Sequence, residues 1–240
     1  MGFRGYQRGL SSITHIKISS TPNVRQKLVI WGASGHALVV ADAARSSGEY
    51  EIAGFIDDVH PERSGEDFCG AVTLGGREQL DVLPPQGINK LIFGIGDSRA
   101  RLELSEFARV KGFQLATIIH PRAFVASDVS VCCGTVILAG AIVNPAARIG
   151  ENVIVNTSAS VDHECLIEDG AHIGPGVHLG GRVFVGRAAW VGIGATVKDR
   201  VSIGAGAVVG AGAVVVDDIP GGVLVYGVPA RVVKRIETKD

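Results

Sequence analysis

Every sixth residue from Ile119 to Val215 is Val, Ile or Leu, an unbroken run of seventeen positions. Two residues ahead of each of these, from Val131 onward, stands a small or β-branched residue, as at Thr135, Ala141, Ala147, Cys165, Ala171 and Ala213. Two inward positions around one outward position is the alternation of a strand, so each hexad reads as a short strand plus a corner. A period of six does not match the 3.6 residues of a helical turn, and it is too short for a barrel strand with its connection. It fits a parallel β-helix, in which three hexads close a triangular coil of about 18 residues and successive coils stack at roughly 4.8 Å. Gly recurs directly after the aliphatic residue, at Gly150, Gly174, Gly180, Gly186, Gly192, Gly204 and Gly210, where tight corners are expected to need an unhindered backbone.

At 240 residues and 46% hydrophobic content, the chain can bury enough core for two modest domains. Its formal net charge of −1 comes from scattered basic and acidic residues, which speaks against a nucleic-acid or membrane-surface partner. There is no uninterrupted apolar run near 18 residues and no signal-peptide pattern, so the expected location is the cytoplasm. Cys69, Cys132, Cys133 and Cys165 have neither CxxC spacing nor the density of a disulfide scaffold, and Cys165 falls in the inward column as a core residue. Residues 1–26 show no periodicity and read as a flexible extension outside the fold.

From Lys27 the pattern changes. LVIW (28–31) is a short buried strand, GASGH (32–36) a Gly-rich turn and Ala37 to Ser47 a helix that stops before Gly48. EIAGFI (51–56) is a second strand, ending at Asp57 and Asp58. After a polar stretch come a strand at 90–96, a helix from about Ser98 to Lys111, and a strand at 114–120 leading into the repeats. Alternating strands and helices give a Rossmann-like α/β domain over 27–118, a β-helix over 119–219 and a C-terminal tail over 220–240. Ligands of such a sheet sit at the C-terminal strand ends, which points to Gly32 to His36, the pair Asp57 and Asp58, and Gly94 to Arg99. The first turn reads G-x-x-G and lacks the central glycine of a dinucleotide fingerprint, which disfavours an NAD-dependent oxidoreductase. Backbone N–H groups at the helix start can still hold a phosphate, with His36 as an added donor. For Asp57 and Asp58, ligand binding and an ordinary solvated turn stand as equal alternatives.

Three histidines fall among the repeats. His172 and His178 occupy outward positions, whereas His163 lies at or near a corner in VDHEC (161–165), between Asp162 and Glu164. A carboxylate beside an imidazole raises its basicity and fixes its tautomer, which suits general-base work near neutral pH. His163 and His172 are nine residues apart, half a coil, and so belong on opposite sides of one prism. They can share a site only across a subunit boundary, which predicts a cyclic homotrimer.

The hexads, the closing YGVPAR (226–231), GASGH, the Asp57–Asp58 pair, the Ile95–Gly96 turn, NTSASVDHEC (156–165) and His172 together resemble one family. It is that of the left-handed β-helix acetyltransferases, and within it the bacterial enzymes that N-acetylate nucleotide-linked sugars for polysaccharide biosynthesis. The resemblance covers about residues 27–236. It implies an acetyl-CoA-dependent N-acetyltransferase acting on the amino group of a nucleotide-linked 4-amino-4,6-dideoxy sugar. It implies His163 as the base and Glu164 as the group raising its basicity, with Asp162 as a second carboxylate beside the ring. His172 is implied to contact the acetyl-CoA near the thioester carbonyl, and Ile193 and Ala211 to line the CoA groove through backbone contacts. Ser34, Gly35, His36, Asp57, Asp58 and Gly96 are implied to hold the nucleotide sugar.

No Ser-His-Asp or Cys-His arrangement is apparent, so direct attack in a ternary complex is expected rather than an acyl-enzyme. Zinc is the competing use for three histidines, but trimeric carbonic anhydrases on such a solenoid use two histidines about two coils apart, unlike the spacings of nine and six here. No metal is expected. Sialic-acid O-acetyltransferases share much of the layout and remain the alternative activity. A non-catalytic nucleotide-sugar-binding protein is the alternative from another class.

Overall fold

The computed structural model describes residues 25–236, so almost all of the extension read at 1–26 lies outside the described residues. Hydrophobic residues that alternate to both faces build the first sheet. In β1 (Gln26–Trp31) Leu28 and Ile30 pack to one side and Val29 and Trp31 to the other, as a parallel strand covered on both faces requires. The elements that follow are α1 (Gly35–Ser47), β2 (Tyr50–Ile56), β3 (Asp67–Phe68), β4 (Ala71–Gly75), β5 (Lys90–Phe93), α2 (Ser98–Val110) and β6 (Gln114–Leu115). Their sheet order is β3-β4-β2-β1-β5-β6, parallel except for the β3–β4 pair. The β3–β4 edge falls in the stretch whose polar composition carried no strand signal. Gly48, in the left-handed region at φ 74°, ends α1, and the Asp97 carboxylate caps α2 by accepting the Ala100 N–H at 2.8 Å.

The expected strand at 114–120 is divided between two sheets. Gln114–Leu115 closes the α/β sheet beside β5, and Ile118–Ile119 opens the solenoid. Seventeen two-residue strands at six-residue intervals, from β7 (Ile118–Ile119) to β23 (Val214–Val215), wind into a left-handed β-helix. The solenoid has three faces of eight, six and five strands, called here the first, second and third; the first includes the C-terminal hairpin. Both inward columns are buried and make one continuous core. Residues 18 apart stack outside it, and down the first face they run Ile118, Val136, Ile154, His172, Trp190 and Val208.

The segment read as a tail is instead structured over 223–235. β24 (Val223–Gly227) pairs parallel to β22 (Val208–Val209) and turns back into β25 (Ala230–Arg235), which runs antiparallel to it. Val223, Val225 and Ala230 are buried at the end of the solenoid core, where they cover an edge that would otherwise be open.

The glycines after the aliphatic column have a reason different from the one expected. None of them has a positive φ; an added Cβ at Gly174, Gly186 or Gly192 would sit 2.6 to 2.7 Å from backbone atoms of the next coil. Close stacking demands them. From Val131 to Val209 the left-handed residue comes three positions after each aliphatic and is as often Ala, Asn, Ser, Glu or Arg as Gly.

The two domains meet along α1 and the first face. Ala37, Val40, Ala41 and Ala44 make a small-residue stripe on α1, at helical spacing, that packs with Ile118, Val136 and Leu138. Arg101 of α2, 1% exposed, crosses the junction and donates to five carbonyls. Two belong to its own domain, Ile95 O at 3.1 Å and Gly96 O at 2.7 Å; three belong to the solenoid, Asn152 O at 3.0 Å, Gly170 O at 2.8 Å and Ala171 O at 3.5 Å.

This packing sets the expected cost of substitutions. Gly192→Ala forces a Cβ against Val209 O and Ala211 N, backbone atoms that cannot swing aside, and should cost about 2–3 kcal/mol. Gly194→Ala, in open space but at φ 67°, should cost about 1 kcal/mol. Thermal unfolding of the two variants orders them, and equal losses would contradict the close-stacking account. Arg101→Leu removes a donor from five carbonyls, leaving Asn152 O and Gly170 O buried without the side-chain donor they have here, and should destabilise by about 3 kcal/mol or more, read as a fall in Tm; an unchanged Tm would show that the junction does not depend on it.

Candidate active site

The expected ligand-binding turns do gather at the strand ends of the α/β domain. Gly32, at φ 121°, lies so close to the β5 turn that a Cβ there would be 2.8 Å from Gly94 O, and a Cβ at Gly94 would be 2.6 Å from Ala37. This approach brings the turn after β1, the start of α1 and the Ile95–Gly96 turn together. Gly35 and Gly96 face open space, with nothing within 4 Å of an added Cβ. Ser34 is the N-cap of α1, and its hydroxyl makes no capping bond, leaving it exposed beside the helix N–H groups. His36 Nε2 is buried without a partner among the described residues. Burial first, then the charge of Arg101, lowers the His36 pKa to about 4.

Asp57 and Asp58 are neither free ligands nor a solvated turn. Asp57 is 5% exposed; its Oδ1 accepts the Val59 and His60 N–H groups and its Oδ2 the Arg63 guanidinium at 3.2 Å. Asp58 accepts from Trp31 Nε1 at 3.2 Å and from the backbone and side chain of Arg77 at 2.7 and 2.8 Å. Together they close the end of β2.

His172 points outward from its face, as the alternation requires, yet it is 6% exposed because the α/β domain covers that part of the face. Its Nδ1–H donates to Gly96 O at 3.2 Å, the same carbonyl that Arg101 holds. Its Nε2 accepts from the Asn156 amide at 3.2 Å, and Asn156 is oriented because its Oδ1 accepts the Thr157 N–H at 2.8 Å. This network assigns a neutral ring with the proton on Nδ1. Burial and then Arg101 lower the His172 pKa to about 4, in keeping with that state. Trp190, one coil on and 43% exposed, stacks on the ring at a centroid distance of 5.3 Å and an interplanar angle of 1°. The expected contact of His172 with a thioester therefore has no unengaged ring nitrogen; the surface open to a ligand at this point is Trp190.

His163 sits elsewhere, at the corner between the second and third faces, opposite the first face that carries His172. Its ring is about half exposed. Nδ1–H donates to Glu164 Oε2 at 3.0 Å, while Asp162 Oδ1 is taken by the His163 backbone N–H at 2.7 Å and by Asn144 at 2.9 Å. Of the two flanking carboxylates, Glu164 is the one that engages the ring. The side chain of Arg182, followed by His163, holds the Glu164 carboxyl below its ordinary pKa. Nε2 makes no hydrogen bond to the described residues and lies over Gly181, where an added Cβ would be 2.5 Å away. The result is an imidazole with one nitrogen anchored to a carboxylate and the other presenting a lone pair.

Ile193 and Ala211 occupy the corner between the first and second faces on successive coils, and Ile193 is 59% exposed. Gly174, Gly192 and Gly210 run beside them, leaving a bare strip of backbone. His178 is exposed and bonded to Ser160 Oγ at 2.8 Å, apart from either histidine site. Arg101, Asn156, Trp190 and Arg182 were not singled out by sequence. Asn156 alone had a local signal, its place in the NTSAS segment. Among the described residues there is no group of three or more His, Cys, Asp and Glu side chains arranged to hold a metal ion, and no helix long and apolar enough to cross a membrane.

Comparison with known proteins gives this geometry a context. Residues 27–107 match the PglD N-terminal domain family. PerB from Caulobacter crescentus, crystallised with CoA and GDP-perosamine, is 39% identical across 89% of this chain and 100% of its own, with a TM-score of 0.83. The acetyltransferase domain of PglB from Neisseria gonorrhoeae FA1090, crystallised with acetyl coenzyme A, is 37% identical across 88% of this chain and 100% of its own, with a TM-score of 0.82. WeeI from Acinetobacter baumannii AYE is 27% identical across 87% and 100%, with a TM-score of 0.79. Repeat register, α/β domain, histidine corner and these similarities agree: the chain belongs to the hexapeptide-repeat sugar N-acetyltransferases.

Proposed function

We propose that this acyltransferase moves the acetyl group of acetyl-CoA to the amino group of a nucleotide-linked 4-amino-4,6-dideoxy sugar, with His163 as general base. The observation that carries this reading is the His163–Glu164 pair, whose 3.0 Å bond fixes the proton on Nδ1 and leaves Nε2 as an acceptor. The similarity to PerB, bound to CoA and GDP-perosamine, supports both substrates.

In this reading the sugar's amine attacks the thioester carbonyl while His163 Nε2 takes a proton from the amine nitrogen. An N–C bond forms, the C–S bond breaks, and the proton passes to the departing CoA sulfur. The thioester is already activated, so the protein's work is to position, accept a proton and exclude water. Glu164 steadies the ring by accepting its Nδ1–H.

The nucleotide sugar would lie at the strand ends, with its phosphates before the N-terminus of α1 at Ser34, Gly35 and His36, beside Gly96. Asp57 and Asp58 each have one acceptor direction left beyond the bonds they already make, enough for one N–H or O–H of the nucleotide. Ile193 and Ala211 would hold the pantetheine arm along the bare corner, with Trp190 and the His172 behind it forming the adjoining wall.

The position of His163, across the prism from His172, supports a homotrimer in which the base of one protomer faces the grooves of the next. Phe124 and Ile142 on the second face and Leu166 on the third are exposed, giving the flanks of that corner an apolar surface suited to subunit packing.

A thiol-release assay with acetyl-CoA against UDP-, GDP- and dTDP-linked 4-amino-4,6-dideoxy sugars tests the activity. One nucleotide sugar should turn over, and His163→Ala should lower kcat at least about 100-fold. Turnover of a hydroxyl sugar alone, or an active His163→Ala, would sink the reading. Kinetics should also be sequential. Ping-pong patterns, or an acetylated protein isolated after exposure to acetyl-CoA without the sugar, would refute direct attack.

A further inference from the structure

The next coil of the solenoid holds the His163–Glu164 corner from above. Residues 181 and 182 stack 18 positions after 163 and 164, and the Arg182 backbone N–H donates to His163 O at 2.9 Å. The Arg182 guanidinium reaches Glu164 Oε2 with Nε at 2.9 Å and a terminal nitrogen at 2.8 Å. That same oxygen accepts His163 Nδ1–H at 3.0 Å, so one carboxylate oxygen gathers three donors. Gly181, on that same coil, leaves room for the ring, since any side chain there would collide with Nε2.

A carboxylate on a solvent-exposed corner ordinarily samples several rotamers, and an exposed ion pair restrains it only weakly. Here the backbone restricts it further. Glu164 itself is in the left-handed region at φ 58° and Arg182 at φ 61°, which turns both side chains out at the same corner in consecutive coils. The other charged neighbours are otherwise engaged. Asp162 is held by the His163 N–H and Asn144, and Asp199 pairs with Arg200 at 3.3 Å on the following coil.

We propose that Arg182 is a positioning residue for acetyl transfer: it clamps the Glu164 carboxylate onto His163 Nδ1 and thereby keeps the proton there and the Nε2 lone pair available to the amine. This inference deepens the reading of His163 as the base and rests on it for its kinetic consequence. Without the clamp the carboxylate swings into solvent, and the ring reverts to a mixture of tautomers in which Nε2 carries the proton and cannot accept one.

The test is ¹⁵N NMR of the imidazole side chains in the full-length protein at neutral pH, with His163 assigned by its loss in His163→Ala. The wild type should show the Nδ1–H tautomer. Arg182→Ala should show a substantial Nε2–H population, with Tm and the other histidine signals unchanged. With the nucleotide sugar consumed in the assay, kcat should fall about tenfold and both KM values should stay within about twofold. Arg182→Lys, which keeps the charge and loses the fork, should recover part of the tautomer and part of kcat.

An Arg182→Ala protein that retains the Nδ1–H tautomer overturns the clamp, whatever its rate. A changed tautomer with unchanged kcat upholds the clamp and overturns its role in the reaction. Failure of the general-base reading is distinguishable from failure of the clamp: an active His163→Ala removes the base, while the tautomer measurement still decides what Arg182 does.

Discussion

The buried guanidinium of Arg101 is the contact on which the arrangement of the two domains turns. It has five N–H donors in a rigid fork, and all five are used on carbonyls from two domains. Among the described residues no carboxylate pairs with it; burial lowers its pKa to about 10, and Asp97 opposes this only in part. A buried charge is tolerable when its donors are fully satisfied, and removing either side of such a network leaves the other stranded. The geometry leaves little slack, because the guanidinium must meet the Ile95–Gly96 turn and the solenoid corners at 152 and 170 together. The positive charge also reaches past structure. It lies near both His36 and His172 and, with burial, keeps those rings neutral at physiological pH.

Gly96 shows how the tie propagates. Its carbonyl accepts from Arg101 and from His172, so the turn beside the proposed sugar site, the histidine on the first face and the domain junction share one atom. Trp190 then stacks on that histidine and carries the same order to the open part of the face. A solenoid is well suited to this kind of relay. Its 18-residue register places a residue of each coil directly over its counterpart, so a side chain is positioned from above and below as well as by its own strand. The His163 corner uses the same device, with Asn144 below at Asp162 and Arg182 above at Glu164.

The division between what was legible in the sequence and what was not follows the range of the interactions. The solenoid core is periodic and local, so Ala171 and Ile173 could be assigned inward and His172 outward from the alternation alone. The burial of His172 could not, because it comes from the α/β domain folding back onto the face; the hydrogen bond that records this contact joins Gly96 and His172, 76 residues apart in the chain. Arg101 was hidden for the same reason: nothing in the pattern of an amphipathic helix that also carries Arg99 and Arg109 sets it apart, and only the fold supplies its five acceptors. The glycines after the aliphatic column were seen as a feature but explained by the wrong force, since stacking distance between coils leaves no trace in a single coil's conformation. The hairpin at 223–235 was missed because the hexad period stops at Val215, although Val223 and Val225 keep the inward alternation.

The two histidine sites pose a problem that one chain does not solve. His163 stands at the corner opposite the face on which His172, Trp190 and the mouth of the α/β domain lie, so under the proposed function a substrate seated at the strand ends of a protomer would be turned away from that protomer's own proposed base. A heterologous contact between unlike surfaces would bring the two together, and such a contact leaves a free copy of each surface at either end unless the rotation closes. A triangular prism with one corner as donor surface and another as acceptor closes most simply after three steps. In the proposed trimer, then, catalysis and assembly are one constraint: the monomer would hold every functional group and still lack an active site.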